Sequence, residues 1–214
     1  MLIGPADEFA IGVQSGGFHG RADGMKFSLT PSNIAKIIEG ELPGAMWEFY
    51  IGYREHVEKE GGGGKSYFTS AESRQFDLSL PHGMRLVHTY MRFDGDVLNG
   101  GLGQYFGNHS PDEVYEDLAA LKTIGATESA RILEEAIAVL KLDYGWPSDD
   151  LKTCAYDYPG DHPEIVRLND LRCNDESSRR DYALLNDYLQ QHLHDCVIPV
   201  DVECCCLEEF LRPA

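Results

Sequence analysis

Asp94-Gly95-Asp96-Val97-Leu98-Asn99-Gly100-Gly101-Leu102-Gly103-Gln104-Tyr105-Phe106-Gly107-Asn108 is the stretch on which the reading of this chain turns. Five glycines in fifteen residues are too many for a free-standing helix, since each costs about 1 kcal/mol relative to alanine in a helix interior. They imply close backbone approach, a positive φ, or both. Val97, Leu98, Leu102, Tyr105 and Phe106 supply apolar bulk at near-helical spacing, while Gln104 and Asn108, four apart, share one face. The pattern predicts a tight turn at 94–96, then a short helix pressed against its neighbours. Asn99, Gln104 and Asn108 are expected to satisfy backbone groups orphaned by the glycines and helix ends.

Upstream, Leu80, Met84, Val87 and Met91 recur at helical spacing, and Leu86, Tyr90 and Phe93 widen the stripe into a buried helix that Asp94-Gly95 closes. His88 lies near that face and reads as a core histidine with one hydrogen bond. Downstream, Ser110-Pro111-Asp112-Glu113 combines an N-cap, a first-turn proline and capping-box spacing. In the helix it opens, Val114, Leu118 and Leu121 face inward and Asp112, Glu113, Glu116 and Asp117 face outward. Gly125 ends that helix and Thr127 is expected to cap the next. There Leu133, Ala136, Ile137 and Leu140 point in, Glu128, Arg131 and Glu135 point out, and Glu134 flanks the apolar face. The short link predicts an antiparallel helical hairpin.

Further out, Pro43 opens a helix to Glu60 with Met46, Tyr50, Tyr53 and Val57 in one stripe, stopped by four glycines at 61–64. Residues 142–158 read as a loop with Asp149 and Asp150 near its surface. A short helix over 161–172, a long one capped by Ser177 or Ser178, and a final short one within 202–212 complete the chain. No strand pattern of useful length is evident. The fold class is therefore all-α: one helical, bundle-like domain over 31–213 with its centre at 80–141. Residues 1–30 form an irregular N-terminal arm outside the core, as a loose hairpin, a mobile arm or a misassigned start.

The 214 residues carry 36 acids against 18 bases, a net charge of −18, at an ordinary hydrophobic content of 43%. Such a chain folds, but it does not bind nucleic acid, because phosphate contacts need Lys and Arg to displace counterions. An anionic membrane surface is disfavoured for the same reason. Basic proteins, DNA-binding proteins among them, are the natural partners. The surplus grows along the chain: residues 1–65 hold nine acids and six bases, residues 153–214 thirteen and five. No block of consecutive acids exists, so the charge belongs to folded surface. The candidate partner-binding acids are Asp112, Glu113, Glu116, Asp117, Glu128, Glu134, Glu135, Asp149 and Asp150. Carboxylates three or four apart on a helix lie ~5–6 Å from one another at Cβ, close to the spacing of successive phosphates along a strand. An ordinary solvated helix face gives the same pattern.

Six cysteines, at 154, 173, 196 and 204–206, read as reduced thiols, and the start lacks the pattern of a signal peptide. With no apolar run near the ~20 residues of a membrane span, the expectation is a cytoplasmic protein. His192, His194 and Cys196 with Cys204, Cys205 and Cys206 could be imagined as a metal site, but adjacent cysteines do not easily converge on one tetrahedral ion. Asp94 and Asp96 are the nearest thing to a catalytic carboxylate pair, without a Ser–His, Cys–His or H-E-x-x-H arrangement beside them. The reading is a non-enzymatic protein with no cofactor and no metal.

The stretch 94–108 matches a pattern D-G-E-V-x-N-G-G-F-x-Q-Y-F-x-N through Asp94, Gly95, Asp96, Val97, Asn99, Gly100, Gly101, Leu102 (for Phe), Gln104, Tyr105, Phe106 and Asn108. Leu121-Lys122-Thr123-Ile124-Gly125-Ala126 and Ala130-Arg131-Ile132-Leu133-Glu134-Glu135-Ala136 follow in the matching order. In these residues the chain resembles a bacterial DNA-mimic protein family over about 46–213, most strongly between 80 and 140. The resemblance implies a DNA mimic that occupies the DNA-binding surface of a transcription factor or nucleoid protein, as a homodimer. The competing classes are an immunity-type protein neutralising a basic toxin and, further off, a metal-dependent hydrolase.

Overall fold

Local start and stop signals place most of the helices. The computed structural model describes residues 25–60, 70–147, 159–173, 175–204 and 207–212. Strand β1 (Met25–Leu29) leads into the short α1 (Pro31–Ile34), whose N-cap Thr30 accepts the Asn33 N–H. Helices α2 (Leu42–Glu60), α3 (Ser70–Ser79) and α4 (His82–Asn108) follow. The hairpin α5 (Pro111–Thr123) and α6 (Thr127–Tyr144) comes next, then α7 (Pro163–Arg172), α8 (Asp175–Gln191) and β2 (Ile198–Cys204). The all-α reading holds, with one small two-stranded sheet added. Among the described residues, no helix is long and apolar enough to cross a membrane.

At the centre lies α4. Its face Met84, Val87, Tyr90, Phe93 and Val97 is buried against α2, α5, α7 and α8. The predicted turn at 94–96 does not form: helix continues through Asp94-Gly95-Asp96, and the break falls at Gly101, with φ 75° and ψ 178°. That conformation is essentially open only to glycine. Its consequence is large. In an unbroken helix Asp96 and His109 would stand roughly 20 Å apart along the axis, yet their side chains meet at 2.6 Å, and Phe93 meets the Tyr105 ring edge-on at 5.2 Å. The chain after Gly101 therefore folds back on the chain before it.

The last helix predicted within 202–212 is instead the end of β2, followed by a 3-10 turn at Leu207–Phe210. β2 pairs antiparallel with β1, Phe27 opposite Val202 and Leu29 opposite Ile198. Phe27 and Leu29 are buried, so the arm expected outside the core over 1–30 has joined the core by residue 27; residues 1–24 lie outside the described residues. Strand signals this short are set by the partner surface rather than by local propensity, and here the partner is roughly 170 residues away. At the start of α6 the cap is Ala126, without a side-chain hydrogen bond, and Thr127 is already helical.

Candidate functional site

The acid-rich side of the α5–α6 hairpin begins as the sequence predicts. Ser110 Oγ accepts the Glu113 N–H, and Glu113 Oε2 accepts the Ser110 N–H at 2.8 Å and its hydroxyl at 2.7 Å. Burial opposes ionisation of Glu113, but these Ser110 bonds, with Arg92, outweigh it and hold the carboxyl below its ordinary range.

Asp117 departs from the expectation: it is not a surface acid. It is 1% exposed, accepts the Tyr105 hydroxyl at 2.5 Å on one oxygen and Arg92 Nη2 at 2.5 Å on the other. Burial pushes its carboxyl up, with Arg92 and Tyr105 pulling the other way. The physical reason lies in spacing, since Asp117 is three residues after Val114 and four before Leu121, on the buried stripe of α5. Tyr105 thereby gains its role: the motif tyrosine ties the folded-back end of α4 to α5.

Most of the remaining predicted acids are exposed or half-exposed but compensated. Glu116 takes a two-bonded fork from Arg74, which holds its carboxyl low. Arg131 bridges Glu128 and Glu135, Arg167 joins Glu135 at 3.1 Å to Glu164 at 2.6 Å, and Lys122 meets Glu134 at 2.5 Å. Asp112 is exposed and has no cationic partner among the described residues. Asp149 and Asp150 lie outside the described residues. The row expected to mimic phosphates on α5 and α6 is thus largely neutralised from within. Exposed ion pairs of this kind contribute little stability, but they cancel the field a cationic groove would read.

The motif acids are structural. Asp94 Oδ1 accepts Arg172 Nη2 at 2.5 Å and the Ser178 hydroxyl at 2.9 Å, joining α4 to α7 and α8. Asp96 binds His109 and, at 3.3 Å, Asn108. Gly95 and Gly100 are exposed, as is Asn99, and Gln104 lies over Gly100. Phe106 is buried. The backbone donor freed at the kink, Leu102 N–H, is met at 2.6 Å by Asn169 Oδ1 of α7, not by Asn99, Gln104 or Asn108. Asn169, Arg92, Arg172 and Asp181 are the residues that sequence reasoning missed.

A second grouping lies on the α2–α4 side. His88 stacks on Tyr50 with ring centroids 4.5 Å apart and comes within 3.8 Å of Asp77, whose Oδ1 also accepts the Tyr50 hydroxyl at 3.0 Å. Burial lowers the imidazole to about 4, against the pull of Asp77. Its folded value lies below the unfolded one, so the unfolded chain takes up the proton first. The stability tied to neutral His88 is present above pH ~6.5 and lost as pH falls from there toward 4, up to about 3 kcal/mol. Urea titrations at stepped pH are expected to show this slope, and His88→Phe to flatten it.

Cys196 and Cys204 are buried, and His192 Nδ1 engages the Tyr188 carbonyl oxygen at 2.8 Å. Among the described residues no group of three His, Cys, Asp or Glu side chains is arranged to hold a metal ion; Cys154, Cys205 and Cys206 lie outside them.

In comparison with known proteins, a family model described as DMP19-like protein matches residues 78–192. No curated protein and no solved structure matches the chain.

Proposed function

Because this chain belongs to the DMP19-like protein family, we propose that it is a non-enzymatic DNA mimic that occupies the DNA-binding surface of a basic protein, a transcription factor or nucleoid protein. One observation carries the reading: acids outnumber bases two to one, and the exposed acids without an internal cation fall mostly beyond residue 160. Among the described residues these are Asp161, Asp170, Glu176, Asp187, Asp201 and Glu209, with Glu203 exposed beside them but directly opposite Lys26 of β1. Asp201 and Glu203 illustrate the geometry. They alternate with buried Val202 and Cys204, so both point outward from β2, about 6.6 Å apart along the strand. We assign the mimicking role to these acids, which sit on α7, α8, β2 and the 3-10 turns beside them, and withdraw the compensated α5–α6 row from it. A homodimer would double the face.

The test uses proteins from the source cell retained on immobilised duplex DNA. Addition of the purified protein is expected to release a DNA-binding protein at low ionic strength, and added salt to suppress the release. Asp201→Lys with Glu203→Lys is expected to weaken release, whereas Glu128→Lys on α6 is not. A tight partner that duplex DNA fails to displace would overturn mimicry in favour of a toxin-neutralising binder.

A further inference from the structure

We propose that the cleft between α3, α4 and α5 binds a small organic monocarboxylate, held by Arg85. This goes beyond the mimic reading and does not depend on it. The cleft has a volume of about 230 Å³ and is lined by Arg74, Arg85, Arg92, Asp77, His88 and Glu116, over a floor that includes Leu86 and Ala120.

The three guanidinium groups are not equivalent. Arg74 is engaged by the Glu116 fork, and Arg92 by Asp117 and Glu113. Half-buried Arg85 has no acceptor among the described residues; its Nε is buried without a partner, as are those of Arg92 and Arg172, but its Nη groups alone have no carboxylate. In a chain with two acids for every base, an arginine left without an acid is the exception. The Nη nitrogens of Arg85, neither buried nor bonded to protein, are the donors that an acceptor entering the cleft can reach.

The surroundings select the ligand. With Glu116 taken by Arg74 and Arg92 by Asp117 and Glu113, one free guanidinium beside the Asp77 carboxylate matches a single negative charge better than a phosphate dianion. Its planar fork matches a carboxylate. The volume is below the ~300–1,000 Å³ of ordinary ligand pockets, and the buried apolar floor suits a short hydrocarbon or single-ring body.

Benzoate is a suitable probe, titrated into the ¹⁵N-labelled full chain beside inorganic phosphate, with the arginine Nε–Hε and cleft amide resonances as readout. Benzoate is expected to give a saturable shift at Arg85 and Ala120, and phosphate none. Arg85→Gln is expected to weaken benzoate about tenfold or more, and Arg85→Lys to weaken it less. If Arg85→Gln does not fold, the lysine variant decides. No saturable benzoate shift, unchanged affinity in the Arg85 variants, or equal binding of phosphate would each overturn the proposal.

Discussion

Arg172→Leu is expected to lower the unfolding free energy by about 3–5 kcal/mol, the usual cost of stripping the cation from a buried ion pair. Arg172 is fully buried, with its Nη2 on Asp94, its Nη1 on Ser178 at 3.1 Å, and its guanidinium 5.1 Å from the centre of the Phe93 ring. Asp181 of α8, also fully buried and bonded to Ser129 of α6, lies 3.8 Å from Nη2. One side chain thus holds α4, α6, α7 and α8 in register, and leucine would leave Asp94 without a cation and Asp181 with only Arg180, at 3.5 Å. Urea denaturation measures the loss. Adding Asp181→Asn to the leucine variant is expected to recover part of it, because a fully buried carboxylate that has lost one of its two nearby cations is then gone. If the single variant unfolds at the wild-type midpoint, Arg172 does not hold the helices together.

Both Arg172 and Asp117 show where charge misleads a reading made from residue types. Ile165, Leu168 and Arg172 recur at three and four, and Val114, Asp117 and Leu121 do the same. In each case the period places the charged residue on the apolar stripe; for Asp117, sorting acids outward overrides it, and Arg172 is passed over. The buried pairs could have been anticipated by trusting the period. What was legible is local: the capping box of Ser110 and Glu113, the stop at Gly125, and the inward faces of α4 and α6 each rest on residues within one or two turns. The β1–β2 pairing was not legible, because its hydrogen bonds join opposite ends of the chain. Nor was the fate of the acids on α5 and α6, since Arg74 and Arg167, which compensate Glu116 and Glu135, come from α3 and α7. A helical wheel shows which carboxylates face outward, not which cations from other elements meet them there.

Gly101→Ala is expected to destabilise the protein by about 3–5 kcal/mol, whereas Gly95→Ala, six residues earlier in the same motif, is expected to stabilise it by about 0.5–1 kcal/mol. Gly95 is helical and exposed, with open space where a Cβ would stand, so alanine there only removes the entropy cost of glycine in a helix. At Gly101 a Cβ would meet the strained φ of 75° and overlap the Asn169 side-chain amide. The backbone term alone is of order 1–3 kcal/mol. Moving Asn169 aside would also orphan the Leu102 N–H it accepts, worth about 1–3 kcal/mol more. Opposite shifts of the urea midpoint in the two alanine variants would place the reversal of α4 at Gly101. A shift in the same direction would mean that the two glycines serve one purpose, and that the contact between Asp96 and His109 depends on something other than this kink.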